Sequence, residues 1–384
     1  MRESGRLWRH FDVWLLAAVA LMTIAGIAMI RSAIGGNENL AELVPRQAIY
    51  ALIGVVLIFL TAAIDYRLWS AVARPMYLLV LVGLGFILAA GVVGFGSARW
   101  FNVGIVLIQP SEISKIIMII VLADYISRHR HEISDVRVIV RSLLLAGIPI
   151  LLIFLQPDLS TAIVIGVIWA ALIWASGARL RPLAALISAL ALAALVTLPF
   201  VARYFVADYP AQRDFLFVKH YQMERVANFL FPDPEAQYGA SYNVNQSLIS
   251  IGSGGAFGQG YGNGTQVQLR FLKVRHTDFI FSAFSEEFGF VGAVLLIGLL
   301  MFVIYRCLRA AALARDMPGA LICYGVAVLL LFQGAFNIGM NLNLMPVSGL
   351  PLPFFSYGGS SLVAILIGIG LVESVMLRHK QIEL

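Results

Sequence analysis

Charged residues are scarce in this chain: Asp, Glu, Lys and Arg make up 12% of 384 residues, against 60% hydrophobic. Soluble domains carry about a quarter of their residues as charges, so a soluble globular fold is excluded and the membrane becomes the solvent. Cysteine is nearly absent as well. Cys307 and Cys323 lack metal-ligand spacing and read as small apolar filler. There is no low-complexity tract and no internal repeat. An echo between Gln109-Pro110-Ser111-Glu112 and Gln156-Pro157-Asp158-Leu159 is too short to count as duplication.

What is present instead is a series of apolar runs of the length, roughly 17 to 25 residues, that crosses about 30 Å of hydrocarbon. About ten can be read, near 13–31, 46–64, 76–95, 110–127, 140–156, 159–177, 182–202, 279–305, 317–341 and 353–376. The first follows Arg2, Arg6 and Arg9 but lacks a small-residue cleavage site, so it reads as a span rather than a signal peptide. Basic residues are retained on the cytoplasmic side. One set of short segments holds sixteen Lys or Arg, and the opposite set only Arg31, Arg46 and Arg99. Both termini are therefore expected in the cytoplasm, which demands an even number of spans. The formal net charge of +6 is accounted for by this asymmetry and does not signal a nucleic-acid partner.

The expected fold is thus an all-α integral membrane protein, one polytopic domain over 1–384, with about ten transmembrane helices. A large extracytoplasmic loop, 203–276, joins helices 7 and 8. Long loops without a span are usually functional. Here Tyr242 to Ser250 reads as a short amphipathic helix. The glycines from Gly252 to Gly264 then suggest either a mobile loop or, loosely, a phosphate-contacting turn.

Ionisable residues scattered along the chain converge on one leaflet. Glu112 and Lys115, three apart at the outer end of span 4, share a helix face and either pair with each other or meet a ligand. Asp158 opens span 6 as a helix cap or a ligand contact. Asp278, at the mouth of span 8 behind Arg275, His276 and Thr277, has the same two readings. Glu286 and Glu287 lie about two turns deeper, where charge is costly and usually faces a polar cavity. Between spans 9 and 10, Met345 to Pro353 is too proline-rich for helix and is expected to be an irregular external or re-entrant segment. Ser356 to Ser361 supplies small polar residues that either let helices approach closely or line a wet cavity.

NIGMNLNLMPVSGLPLPFFSYGGSS at 337–361 resembles the signature of the SEDS (shape, elongation, division and sporulation) family. Arg99-Trp100, QPSEISK at 109–115, QPDLSTA at 156–162 and RHTDFIF at 275–281 occur in that family's order. GTQVQLRFL at 264–272 is closer to the RodA branch than to the FtsW branch. Lys273-Val274 depart from the Pro-Glu expected there, and Asn343 stands where Gly is usual. The resemblance implies a bacterial inner-membrane peptidoglycan glycosyltransferase that polymerises lipid II on the outer face. It also implies a class B penicillin-binding protein as transpeptidase partner. Asp278 maps onto the family's essential carboxylate, with Arg99, Trp100, Glu112, Lys115, Asp158, Arg275 and His276 as substrate-binding candidates. The donor is α-linked and the product β-linked, so the expected chemistry is a single inverting displacement. Mg2+ or Mn2+ is an open expectation. A flippase or secondary transporter for the same precursor is the rival class, since membrane carboxylates are common there too.

Overall fold

The structure, a computed structural model, describes residues 8–35, 40–90, 92–94, 97–103, 106–178, 188, 199, 203, 220–231 and 239–379. The helices are α1 (Val13–Ile34), α2 (Leu43–Ala63), α3 (Tyr66–Ala71), α4 (Ala73–Ala90), α5 (Pro110–Arg128), α6 (Val136–Leu155) and α7 (Leu159–Ala175). They continue with α8 (His220–Leu230), α9 (Gly239–Ser253), α10 (Thr265–Gln268), α11 (Ile280–Leu313), α12 (Met317–Asn341) and α13 (Gly359–Leu377). Six of these, α1, α2, α6, α11, α12 and α13, are long and apolar enough to cross a membrane. The helices α4 and α7 are apolar but shorter. The expected run 182–202 lies almost entirely outside the described residues, as do 204–219 and 232–238 of the long loop.

Aspartates set where many helices begin. Asp12, Asp135 and Asp316 accept from Leu15 N (3.1 Å), Arg137 N (2.8 Å) and Gly319 N (3.0 Å). Each thereby satisfies one of the orphan amides of a first turn, a contribution of about 1 kcal/mol. At the centre stand α5 and α13, buried nearly all round, and α12, buried on most of its surface, whereas outward side chains such as Leu52, Leu79 and Leu295 stay exposed. An apolar outer surface of this kind suits hydrocarbon solvation. The helices α2 and α13 approach closely because small residues line the seam: a β-carbon on Gly359 would sit 2.2 Å from the Tyr50 ring. Cys307 and Cys323 are free and buried, as expected of filler.

The bundle has two distinct polar ends. One gathers the end of α1 with the starts of α5, α7, α11 and α13. The opposite end brings the start of α1 to the end of α13: Asp12 N donates to Glu373 Oε2 (2.9 Å), and the His10 and His379 rings meet edge-on.

Three features depart from a plain helix count. Three described strands form a small antiparallel sheet, β1 (Val92–Gly94), β2 (Ser97–Val103) and β3 (Val106–Ile108), in the order β1-β2-β3. The all-α expectation missed it because Gly91 and Gly94 end the apolar run that feeds α4, and the β-branched and aromatic residues beyond suit a pleated surface. Tyr50 and Ser360 anchor this sheet to α2 and α13 through Leu107.

Second, α11 is broken at Gly289 (φ 68, ψ −168). The freed backbone groups pair with the glycine-rich segment. Gln259 N and Gly260 N donate to the carbonyls of Glu286 and Glu287, while Phe290 N and Val291 N donate to Gly255 O and Ala256 O (2.9–3.0 Å). Only glycine fits the crossing, since a β-carbon on Gly289 would lie 2.3 Å from Gly258 N. The Glu286 carboxylate accepts from Gln266 N (2.8 Å) and Glu287 from Ser32 Oγ of α1. These two deep carboxylates fasten a loop, and the glycines form a backbone clasp rather than a mobile or phosphate-contacting turn.

Third, residues 342–358 are irregular yet penetrate the bundle, with Leu350, Leu352, Phe354 and Phe355 buried. Non-helical backbone at such depth requires internal partners. Asn337 Nδ2 donates to Leu350 O (2.8 Å), Gln47 to Ser356 O (3.1 Å), Ser356 Oγ to Thr277 O (2.8 Å), and Tyr357 N to His276 O (2.9 Å). Asn343 takes φ 56, the left-handed conformation that Asn tolerates better than most residues.

Candidate active site

Asp278 sits where this buried irregular segment meets the start of α11. Two amides on α12, Asn337 Nδ2 and Asn341 Nδ2, one turn apart, donate to its backbone carbonyl at 3.1 and 3.0 Å. The cap position of α11 is Phe279, with no side-chain cap bond, so the capping alternative for Asp278 is not what the fold uses. Its carboxylate is half-buried and accepts no hydrogen bond from any described residue. Burial pushes its pKa up to about 6, with the Arg225 guanidinium pulling the other way. A carboxyl held there is poised to take up a proton near neutral pH.

Across Gly349 from it lies a cavity of about 90 Å3 between the start of α7, α8, α12 and the irregular segment; Asp158, Ser160, Arg225 and Ser348 are on its wall, and Asp278 itself is not. Arg225 on α8 donates to Ser348 O (2.9 Å), and Ser160 Oγ reaches the same carbonyl (2.6 Å). A cation and a raised-pKa carboxylate therefore flank one turn of backbone at the mouth of an apolar hollow.

The other candidates fall into three groups. Asp158 lines the cavity and caps α7, accepting from Thr161 N (3.3 Å); its second oxygen takes Ser111 Oγ (3.1 Å) and Gln109 Nε2 (3.2 Å), locking α5 to α7. Glu112 and Lys115 form a buried ion pair at 2.8 Å, with side chains 7% and 1% exposed. Trp100 lies half-buried in β2, and no described contact joins it to Asp278; the Arg99 side chain lies outside the described residues. Arg275 turns away: its Nε donates to Ala33 O at the end of α1 and its Nη1 to Leu272 O (3.2 Å). The His276 ring faces Tyr357, and burial, with Arg275 behind it, holds its pKa below the usual histidine value.

Among the described residues no three acidic, histidine or cysteine side chains gather, so the donor set makes no protein cage for Mg2+ or Mn2+. An ion at Asp278 would take most of its oxygens from the substrate's phosphates and water.

Arg225 was not singled out by sequence reasoning, where it is one of several basic residues in a long loop. Asn337 and Asn341 carry a readable signal: with Gln333 they make three amides spaced four apart on one face of a largely apolar helix.

Comparison with known proteins is decisive at the level of family. The profile of a family described as cell cycle protein, FtsW/RodA/SpoVE, matches residues 9–381. The chain belongs to this family. Peptidoglycan glycosyltransferase MrdB of Escherichia coli is 33% identical over 374 residues, covering 97% of this chain and 95% of MrdB. Among solved structures, a chain from a peptidoglycan synthase complex superposes with a TM-score of 0.77 at 31% identity, covering 97% of this chain and 99% of its own. The rod shape determining protein RodA of Thermus thermophilus gives 0.67 at 29%, covering 97% and 98%. The expected SEDS resemblance is thereby established over residues 9–381.

Proposed function

We propose that this family member is a peptidoglycan glycosyltransferase of cell elongation, joining lipid II units into glycan strands. The observation that carries the reading is the Asp278 carboxylate, free of hydrogen bonds from described residues and raised to about 6 beside a cavity that Arg225 lines. In the reaction, the acceptor 4-hydroxyl attacks the donor's anomeric carbon as Asp278 takes its proton. The bond from that carbon to the pyrophosphate oxygen breaks with inversion. Arg225 faces the charge that accumulates on the departing pyrophosphate, where a preorganised cation acts most strongly. Asp158 holds the opposite wall in register, and Trp100 offers an amphipathic ring to sugar or lipid.

The sixteen-to-three distribution of Lys and Arg supports an inner-membrane orientation with both chain ends in the cytoplasm and Asp278 facing outward. In that frame the ten-span reading adds the run 182–202 to the nine apolar or buried helices described. The complex-derived relative supports a class B penicillin-binding protein as partner. Any divalent ion would arrive with the pyrophosphate. A transporter reading finds one point in its favour, the interruption of α11, but the freed backbone groups there are paired with the glycine clasp.

The test is polymerisation of labelled lipid II by the purified chain, with and without a class B penicillin-binding protein, with products resolved by length. Glycan oligomers that require Asp278 support the proposal. Movement of lipid II between leaflets without oligomers sinks it.

A further inference from the structure

The bundle end opposite Asp278 holds a second hollow, of about 270 Å3, lined by none of the residues assigned to polymerisation. It lies where the helical turn Trp8–His10, the end of α11 and the end of α13 meet. Its wall carries Arg9, Arg306, Arg309, His10 and His379. Arg306 is committed to a two-point ion pair with Asp12, with Nε 2.7 Å from Oδ2. Asp12, which also caps α1, is thus neutralised. Arg9 and Arg309 are exposed and make no ion pair with a described carboxylate. The hollow is therefore net cationic.

Its flank has the opposite chemistry. Val13 and Trp14, in the first turn of α1, line the same hollow and are 65% and 70% exposed on a helix apolar enough to cross a membrane. Cationic floor and apolar flank together match a ligand with a phosphate at one end and hydrocarbon at the other. A free phosphate would satisfy the arginines but gain nothing from Trp14, whose ring suits the membrane interface. Basic pockets between membrane helices accept anionic lipid headgroups, and arginine is well suited to phosphate oxygens.

We infer that this hollow seats the headgroup of an anionic phospholipid, its phosphate held by Arg9 and Arg309 and its chains running along the exposed faces of α1 and α11. The site is remote from Asp278, so it is a structural or regulatory lipid site independent of the acceptor and donor positions.

The experiment titrates phosphatidylglycerol into the full-length chain purified in neutral detergent and follows the melting temperature, with phosphatidylcholine and inorganic phosphate as parallel titrants. A saturable rise with phosphatidylglycerol alone is expected. Arg9→Gln/Arg309→Gln should weaken the apparent affinity by about 25-fold, roughly five-fold per arginine. An unchanged titration in the variant, or an equal rise with phosphatidylcholine, overturns the assignment. A rise reproduced by inorganic phosphate overturns the lipid and leaves a phosphate site. If the double variant does not fold, Arg309→Gln alone should lose roughly five-fold, and raising salt should weaken the wild-type titration; failure of both refutes the site.

Discussion

The Nη1 atom of Arg225 and the Oδ2 atom of Asp278 both lie 3.9 Å from the point where a β-carbon would stand on Gly349. One glycine, at φ 79, thus separates the cation and the carboxylate to which the chemistry is assigned. The cation favours the ionised carboxylate and opposes the burial that raises it.

This relationship fixes a pH dependence. Asp278 acts as a base only when ionised, so kcat/KM should fall as pH drops through about 6 and level off above it. Arg225→Gln removes the stabilising charge, so the carboxyl pKa rises and the acid limb moves to higher pH. The plateau should also drop on the order of 10²-fold or more, as when a transition-state donor is removed. Initial polymerisation rates between pH 5 and 8 check both effects. An acid limb that stays in place in the variant would separate the two residues functionally.

The ion pair between Glu112 and Lys115 should matter for stability first. Removing one partner leaves the other charge buried, at a cost of about 3–5 kcal/mol. Glu112→Ala and Lys115→Ala should each melt well below wild type, while Glu112→Leu/Lys115→Met should recover much of the loss. Thermal unfolding in detergent reads this directly. Single variants that melt like wild type but do not polymerise would instead assign the pair to substrate contact.

A similar logic applies to the clasp. Gly289 occupies a backbone region open essentially to glycine alone, and its β-carbon would collide with Gly258 N. Gly289→Ala should destabilise the N-terminal part of α11 by roughly 3 kcal/mol or more, from about 1–3 kcal/mol of backbone strain plus lost pairing. Limited proteolysis should then cut within 254–264, where wild type resists. Equal resistance would mean that the segment holds without the crossing.

Much of this was legible in the sequence, for identifiable reasons. Asp278 stood in a motif with strong resemblance, Asp158 followed a proline at a helix start, and the spacing of Glu112 and Lys115 already put them on one face. Tyr242 to Ser250 lies inside α9 as its amphipathic pattern suggested. The clasp was not legible, because it depends on backbone pairing between 255–260 and 286–291, and glycine spacing alone does not distinguish a phosphate turn from a crossing of two chains. Arg225 was hidden for a related cause: its role comes from α8 folding over Ser348, 123 residues away in sequence. The sheet at 92–108 was masked by an apolar run that reads equally as the end of a span.

Asp278→Asn is the most direct test of the catalytic assignment, because it nearly preserves shape and leaves the backbone carbonyl that Asn337 and Asn341 hold. A structural role would survive this change: the hydrogen bonds from Asn337 and Asn341 go to its backbone, and α11 takes no side-chain cap from it. The base, however, is gone, since an amide takes no proton near pH 7. Polymerisation should fall by about 10²- to 10⁴-fold, with melting temperature, partner binding and lipid II affinity close to wild type. Stability should if anything rise slightly, because a half-buried carboxylate that is largely ionised at pH 7 is replaced by a neutral group. Wild type titrated with Mg2+ and Mn2+ in parallel separates the base from a metal ligand: a steep ion requirement would move Asp278 toward ion binding. Robust glycan synthesis by the variant at pH 7 would remove Asp278 from the chemistry altogether, and Arg225 would then stand as the cavity's charged group of consequence.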